Sequence, residues 1–258
     1  MPEDKYQIAE KARYIRLLLL QDELEYFDSI LSEPIGDHES LLNKLRMTRF
    51  VFLSLSNLKD AADRTRVEAD RSFFQETRIL RKTLSFANHF RNRAIGHLDE
   101  ALLERAAQWS PEIFLASAEN DAAYQTLMAQ RSIIESSINS FLDQTGRQKT
   151  FGTEIDLFYP PDAKQFFSYL SDVVNMGIRW LSGATSILRQ SIHHHEEGEM
   201  RELGAIAGQT NFSLGEESDL TFCPEDLRDK ETEVLQAMEA MNVPPELLAL
   251  LRKMLSPS

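Results

Sequence analysis

Apolar residues recur along most of the chain at intervals of three and four residues, the spacing of one face of an α-helix. Glycine is scarce, at 10 of 258 residues, and the abundant residue types are good helix formers. The pattern therefore predicts an all-α fold, an antiparallel helical bundle with a helical C-terminal extension. The predicted helices run over about residues 5–31, from 39, from 68, and over about 100–108, 120–143 and 162–195.

The same pattern divides the chain into three predicted parts. Residues 1–150 form the bundle, and residues 151–203 contribute one additional long helix that packs on it. Residues 204–258 form the extension, in which the acidic, turn-rich stretch 211–224 is typical of a mobile linker. Two short helices within 231–254 end the chain. We expect the extension to act as a docking or regulatory element.

Capping residues and prolines predict where individual helices begin. Asp99 is a suitable N-cap for the helix over 100–108. Pro160 and Pro161 are expected to keep residues 151–161 extended, because proline lacks the N–H that a helix interior needs. The long helix that follows is predicted to begin at residue 162 and to include the histidine run 193–195.

The helix that begins near residue 68 carries the most informative pattern. Its apolar positions step by four, three, four and three residues, and the next position on that face is Arg91. This position predicts that Arg91 points inward. Buried arginine is rare unless it is paired or faces a cleft, so an inward Arg91 would indicate one of these two roles. Arg93 lies about 200° further round the helix and is predicted to face solvent with Arg71, Arg78 and His89. The face is formed by Phe73, Thr77, Leu80, Leu84 and Ala87.

Residues 91–97 read RNRAIGH and combine groups that can cleave RNA without a metal. A guanidinium such as that of Arg91 binds a phosphate through parallel hydrogen bonds. The imidazole of His97 has an ordinary pKa near 6.5, which suits proton transfer at neutral pH. Asn92 adds a polar group beside the arginine, and Gly96 would allow a break that brings the imidazole back towards the guanidinium.

Arg91, Asn92 and His97 fit the R-x(4–6)-H signature of the HEPN superfamily, in which a polar residue often follows the arginine. The Gly-His-Leu-Asp sequence over 96–99 resembles the endings found in abortive-infection members. The position of the motif after a long helix in an all-α bundle is also similar. The resemblance covers about residues 1–145 and is carried by seven of them. It does not explain the helix over 100–108 or the chain after residue 150.

The resemblance implies a metal-independent endoribonuclease in defence or toxin–antitoxin biology, assembled as a homodimer. His97 would be the general acid/base, Arg91 would stabilise charge on the scissile phosphate, and Asn92 would position one of them or bind the phosphate. RNA would be the substrate, and an antitoxin or regulatory protein a further partner. Neither a metal nor another cofactor is expected. The outward-facing arginines are expected to bind RNA: Arg71, Arg78 and Arg93.

Two other interpretations of the same residues stay open. Arg91 would pair with a core acid such as Glu23, and His97 would cap a helix end, in a non-catalytic HEPN-like binding module or scaffold. Separately, His193 and Glu197 lie one helical turn apart, which is the spacing of a metal-binding pair. Consecutive histidines point to different faces of a helix, however, so a solvated helix end without metal is the preferred interpretation of that run.

Charge is distributed unevenly along the chain. The formal net charge is −13, and residues 1–150 carry 20 Lys/Arg against 23 Asp/Glu, while residues 151–258 carry 8 against 18. Global acidity argues against a general nucleic-acid binder. Residues 64–93 nevertheless hold eight basic and three acidic side chains. We therefore expect RNA to approach this locally basic segment, which the acidic extension could cover.

The chain lacks the sequence features of membrane and secreted proteins. Its longest apolar run is the four leucines of 17–20, far short of the roughly 18 residues that span a bilayer. Its first residues do not resemble a signal peptide, and a single cysteine, Cys223, fits a reducing compartment. A cytoplasmic protein without a membrane partner is expected.

Overall fold

The computed structural model describes residues 5–65, 71–96 and 98–207, and within them the protein is all-α. The prediction of an all-α fold is thus confirmed. An isolated bridge between Leu142 and Gln148 is the one extended pairing in these residues. Two short 3-10 helices, Pro111–Phe114 and Ala116–Ala118, accompany the α-helices. The α-helices are α1 (Lys5–Ser32), α2 (His38–Arg64), α3 (Arg71–Thr83), α4 (Ser85–Ala94), α5 (Glu100–Trp109), α6 (Ala122–Asn139), α7 (Pro160–Ser191) and α8 (Glu199–Ala207).

The chain divides into two compact units between Ile192 and His193. The first unit contains α1 to α7, and the second contains α8. The predicted linker over 211–224, the final helical pair and Cys223 lie outside the described residues. Among the helices that are described, none combines the length and the apolar character needed to cross a membrane.

The core of the first unit lies where α1, α2 and α7 meet. Gly177 of α7 allows this close packing, because a Cβ there would come within 2.8 Å of Leu58 and 3.0 Å of Leu24. Both leucines are fully buried. A larger residue at position 177 would therefore push the three helices apart.

Helix α1 has two apolar faces, and only one of them is buried. Leu17, Leu20 and Leu24 pack into the core. Ile15 and Leu19 follow the helical spacing seen in the sequence, yet their side chains are 57% and 60% exposed. The run of four leucines fits both faces equally well, so spacing alone does not indicate which one packs against α2 and α7.

An aromatic cluster connects α2, α4 and α7. Phe52 of α2 stacks on Phe90 of α4, with ring centroids 4.0 Å apart and an interplanar angle of 10°. Phe86 packs edge-on against Phe52. The ring centroid of Phe166 of α7 lies 6.3 Å from that of Phe52. All four rings are buried. This cluster fixes the position of α4, whose last turn carries the sequence motif.

Two helix starts follow directly from capping residues. The Asp37 side chain accepts a hydrogen bond from the backbone N–H of Ser40, and the Ser40 hydroxyl oxygen accepts one from the backbone N–H of Asp37, so α2 begins with a reciprocal capping box. Asp99 accepts a hydrogen bond from the N–H of Leu102 and caps α5, which confirms the predicted N-cap.

The prediction for the start of α7 is wrong. Pro160 and Pro161 were expected to keep the chain extended, but α7 begins at Pro160. The first turn of a helix has no intrahelical partner for its N–H groups, so proline is well suited to that position. At the other end α7 stops at Ser191, and residues 193–198 are not helical. The histidine run predicted to end this helix is therefore a loop.

Candidate functional site

Arg91 is exposed, which corrects the prediction that it points inward. The single helix expected from residue 68 is interrupted at Leu84, where α3 ends and α4 begins. Leu84 and Ala87 are buried as predicted, and the N–H groups of Leu84 and Asn88 still donate to the carbonyls four residues earlier, so the buried face continues across this turn. Phe90 and Ala94, rather than Arg91, continue the buried face of α4. A step of three residues from Ala87 leads to Phe90 and a step of four leads to Arg91, and both steps fit helical spacing, so the sequence pattern alone does not choose between them.

Arg91 and Asn92 form an exposed pair in the last turn of α4. The Nη1 of Arg91 donates to the Oδ1 of Asn92 at 3.4 Å, which is a long and weak contact. Across the described chain, no carboxylate lies within ion-pair distance of Arg91. Glu23, the core acid considered as its partner, accepts a hydrogen bond from Ser54 instead. The guanidinium of Arg91 is therefore available to a ligand.

The backbone after α4 folds back on the helix end. The N–H groups of Ile95 and Gly96 both donate to the carbonyl of Arg91, at 3.2 and 2.9 Å. The N–H of Asp99 donates to the carbonyl of Arg93 at 3.1 Å. These bonds occupy carbonyls that a helix end leaves without partners. His97, the predicted general acid/base, lies outside the described residues, so its placement relative to Arg91 stays a prediction.

Arg93 faces solvent as predicted and links α4 to α5. Its Nη1 donates to the Oδ2 of Asp99 at 2.5 Å, and its side chain is 47% exposed. This hydrogen bond, together with that from the N–H of Leu102, holds the pKa of Asp99 below its usual range. The ion pair leaves part of the guanidinium open to solvent.

The other two arginines predicted to bind RNA are also exposed. Arg71 and Arg78 lie on α3, seven residues apart and hence on one side of the helix. Neither has an ion-pair partner among the residues that the structure describes. Both are free to contact a polyanion.

A cavity of about 390 Å³ lies beside Arg93, a volume within the roughly 300–1,000 Å³ typical of ligand pockets. The C-terminal end of α4, the outer face of α5, the end of α6 and the loop after α6 form its walls. Its lining residues are Arg93, Ala101, Leu102, Arg105, Trp109, Ser136, Asn139, Ser140, Leu142, Gly146 and Glu154.

Three side chains give this cavity its chemical character. Ser136 is 3% exposed, and its hydroxyl has no hydrogen-bond partner in the described chain. A buried polar group left in this state costs about 1–3 kcal/mol, which a bound polar ligand would recover. The ring of Trp109 is 38% exposed and is held by a hydrogen bond from its Nε1 to Glu135 at 2.9 Å. Arg105 adds an exposed guanidinium without an acidic partner in the described residues.

His89 is half-buried behind the cavity, although the sequence predicted a solvated side chain. Its Nε2 lies 3.1 Å from the Oγ of Ser140. Burial is the main cause that lowers the pKa of His89, and the positive charge of Arg93 lowers it further. The Ser140 hydroxyl also donates to the carbonyl of Ser137 at 3.1 Å. The contact with Ser140 holds the imidazole ring in place beside the end of α6.

A buried network of charged residues lies next to the cavity. Arg131 is 5% exposed, forms an ion pair with Glu112, lies 3.7 Å from Glu135 and stacks over the ring of Phe158. Glu135 is fully buried and accepts the N–H of Leu157 at 2.7 Å. Burial raises the pKa of Glu135, an effect that the nearby Arg131 opposes.

This network fixes the loop that follows α6. Asn139 reinforces it, since its side chain exchanges two hydrogen bonds with the backbone of Ile155, at 3.0 and 2.8 Å. A preformed pocket with two guanidinium groups, an indole face and an unsatisfied hydroxyl suits a ligand that has both a flat ring and negative charge.

Most of these cavity residues were not predicted from the sequence. The cavity brings together α5, α6 and the end of α6, which meet only in the folded chain and carry Trp109, Ser136 and Ser140. Arg93 is the one residue that both the sequence motif and the cavity share. The unusual serine content of α6, with hydroxyls at 132, 136 and 137 on a buried helix, is the signal that could have indicated a polar site.

The chain was compared with protein-family models, with curated proteins and with solved structures, and nothing in these three comparisons matches it.

Proposed function

We propose that the protein is a metal-independent endoribonuclease with a HEPN-like helical bundle. One observation carries the proposal: Arg91 and Asn92 are exposed together at the end of α4, and Arg91 has no carboxylate partner among the described residues. A structural arginine is normally paired, as Arg131 is in this protein. An unpaired guanidinium beside a polar amide is the expected resting state of a phosphate-binding group.

In this proposal cleavage proceeds by attack of the RNA 2′-hydroxyl on the adjacent phosphorus. The P–O bond to the 5′-oxygen breaks, leaving a 2′,3′-cyclic phosphate and a 5′-hydroxyl. His97 either accepts the proton of the attacking 2′-hydroxyl or donates a proton to the leaving 5′-oxygen, and solvent water exchanges the proton at the other oxygen. Arg91 stabilises the charge that develops on the phosphate oxygens, and Asn92 positions the guanidinium or binds the phosphate.

The cavity beside Arg93 supports an RNA substrate. A nucleobase would stack on Trp109, whose indole is held in place, and its polar edge would reach Ser136 or Asn139. Arg93 and Arg105 would contact the phosphates on either side. The exposed arginines of α3 would extend the contact along the strand and raise the affinity in a salt-dependent way.

Cleavage of a single-stranded RNA in the presence of EDTA tests the proposal. The purified chain is expected to cut it, and an RNA with 2′-deoxy sugars is expected to stay intact. His97→Ala should lower the rate by about 10²–10⁴-fold, the usual contribution of general acid–base catalysis. His38→Ala, at an exposed histidine near the start of α2, is the matched control and should leave the rate unchanged. An unaffected rate in His97→Ala would contradict the proposal.

A homodimer is part of the same proposal. The apolar face of α1 that contains Ile15 and Leu19 is exposed and supports it. Light scattering coupled to size exclusion should give the mass of two chains, and Leu19→Glu should give one. Ile79→Glu, at a residue of α3 that is 58% exposed, is the control and should stay dimeric. A strictly monomeric wild-type chain would contradict this part of the proposal.

A non-catalytic helical binding module is the alternative function. The ion pair between Arg93 and Asp99 favours it, because a guanidinium held by a carboxylate is less available to a phosphate. The two functions differ in one outcome. A binding module would retain RNA or a partner protein without cleaving it, and His97→Ala would leave that affinity unchanged.

A further inference from the structure

The loop between α7 and α8 brings two histidines and a glutamate together. The chain loses helical structure after Ser191 and becomes helical again at Glu199. In the loop, the rings of His193 and His195 lie together, with their centroids 4.8 Å apart. The N–H of Glu199 donates to the carbonyl of Glu196 at 3.0 Å, so the first turn of α8 folds back towards the loop.

The three side chains converge on one point. The Nε2 of His193 lies 3.6 Å from the Oε2 of Glu199, and the Nδ1 of His195 lies 3.5 Å from the same oxygen. One ligand atom from each residue lies within 4.8 Å of the others. The two imidazole rings are nearly perpendicular, with an interplanar angle of 82°. All three residues belong to the second unit.

These separations match the geometry of a bound Zn²⁺. Ligand atoms about 2.0–2.2 Å from a tetrahedral Zn²⁺ are about 3.3–3.6 Å apart. Both nitrogen–oxygen separations fall in that range. The third separation, between the two imidazole nitrogens, is at most 4.8 Å. Small side-chain rotations would shorten it to the tetrahedral distance, and the exposed side chain of His193 has room for such a rotation.

The carboxylate of Glu199 is prepared for this role. The N–H of Glu196 donates to its Oε2 at 3.1 Å, which orients the group. Two imidazoles and one carboxylate favour Zn²⁺ and neighbouring transition ions over Ca²⁺ or Mg²⁺, which need more oxygen ligands.

We propose that His193, His195 and Glu199 bind one Zn²⁺ ion, with water in the fourth position. The sequence pairs His193 with Glu197 on the assumption that the run is helical, and the loop assembles a different set. The metal would close the segment 193–199 and thereby order the start of α8. The proposed RNA cleavage uses no metal, so the two proposals succeed or fail independently.

Zn²⁺ binding to the full chain, prepared without an affinity histidine tag and stripped with a chelator, tests the site. Titration against a chromophoric chelator should give about one high-affinity ion per chain. The loss of a residue that only hydrogen-bonds to a metal ligand typically weakens metal affinity by about 10–100-fold. We therefore expect the loss of a ligand itself to weaken Zn²⁺ binding at least that much in each of three variants: His193→Ala, His195→Ala and Glu199→Gln. Co²⁺ in the wild-type chain should give the intense visible absorption of a tetrahedral site.

The neighbouring residues provide the controls. His194→Ala and Glu197→Gln change the same residue types in the same loop and should keep the wild-type affinity. An equal loss in His194→Ala and His193→Ala would mean that the histidine run binds metal without a defined site, and the proposal would be wrong. The absence of saturable Zn²⁺ binding in the wild-type chain would also overturn it. Circular dichroism of each variant excludes a loss of fold as the cause.

Discussion

Arg91 and Arg131 are two arginines on neighbouring parts of the first unit, and their surroundings differ in every respect. Arg131 is 5% exposed and is surrounded by Glu112, Glu135 and the ring of Phe158. Arg91 is exposed, and within the described chain its guanidinium makes one hydrogen bond, of 3.4 Å, to Asn92. The sequence pattern indicated Arg91 as the buried one.

The difference separates a structural arginine from an available one. Removing a guanidinium from water is costly, and a fold tolerates it only where carboxylates and an aromatic face replace the water. Arg131 meets that condition and in return positions the loop that walls the cavity. Arg91 stays solvated and has nothing to position within the fold. This contrast makes Arg91 the better candidate for a ligand-binding role and Arg131 the more sensitive residue for stability.

The largest effect is expected from Arg131→Ala. The substitution leaves Glu135 buried without its counter-charge, which typically costs about 3–5 kcal/mol of unfolding free energy. Urea unfolding followed by circular dichroism measures it. Adding Glu135→Gln, which removes the buried charge but keeps an oxygen acceptor for only one of the two donors, Leu157 and Trp109, should recover part of the loss. If Arg131→Ala is as stable as wild type, the network does not support the loop as described.

A smaller effect is expected at the cavity. Trp109→Leu should weaken RNA binding by about 1–3 kcal/mol, the usual value of base stacking on an aromatic side chain. Fluorescence anisotropy with labelled RNA, in a His97→Ala background that prevents cleavage, measures the affinity. Trp109→Phe is the matched control, since it also loses the bond to Glu135 but keeps a flat ring. Equal losses in the two variants would assign Trp109 to the support of the fold rather than to RNA.

The smallest effect concerns pH. The pKa of His89 is lowered in the folded chain, so the unfolded chain binds more protons in the interval below the ordinary value of 6.5. The stability that His89 contributes is thus present above pH 6.5 and is lost as the pH falls towards the folded pKa. His89→Gln should flatten the stability profile in that interval, whereas His38→Gln should not. A profile unchanged by His89→Gln would mean that the ring is not desolvated.

Local signals allowed part of this fold to be predicted. Asp99 caps α5 as expected. An N-cap is a local signal, because its side-chain oxygen accepts a hydrogen bond from a backbone N–H only two or three residues later. The buried residues of α7, among them Phe166 and Trp180, recur at the helical spacing from which the all-α fold was predicted. Pro160 was misinterpreted because the same residue that prevents a helix interior also suits a first turn.

The candidate site was predicted less well, for physical reasons that involve distant contacts. The buried residue that follows Ala87 is Phe90, which stacks on Phe52 of α2, and this contact between distant residues has no local signal in the sequence. Ser136 and Trp109 meet only after α5 and α6 pack together. The residues named from the motif nevertheless include Arg93, which lines the cavity that these contacts create.

The most direct test of the central claim is to measure cleavage and stability on the same preparation of Arg91→Ala. We predict a loss of RNA cleavage of about 10²-fold or more, as expected for a charge-stabilising donor, with an unfolding free energy within about 0.5 kcal/mol of wild type. Arg179→Ala, at an exposed arginine of α7, should change neither. Full cleavage by Arg91→Ala, or a loss of cleavage that accompanies unfolding, would contradict the claim that Arg91 is held available for a phosphate.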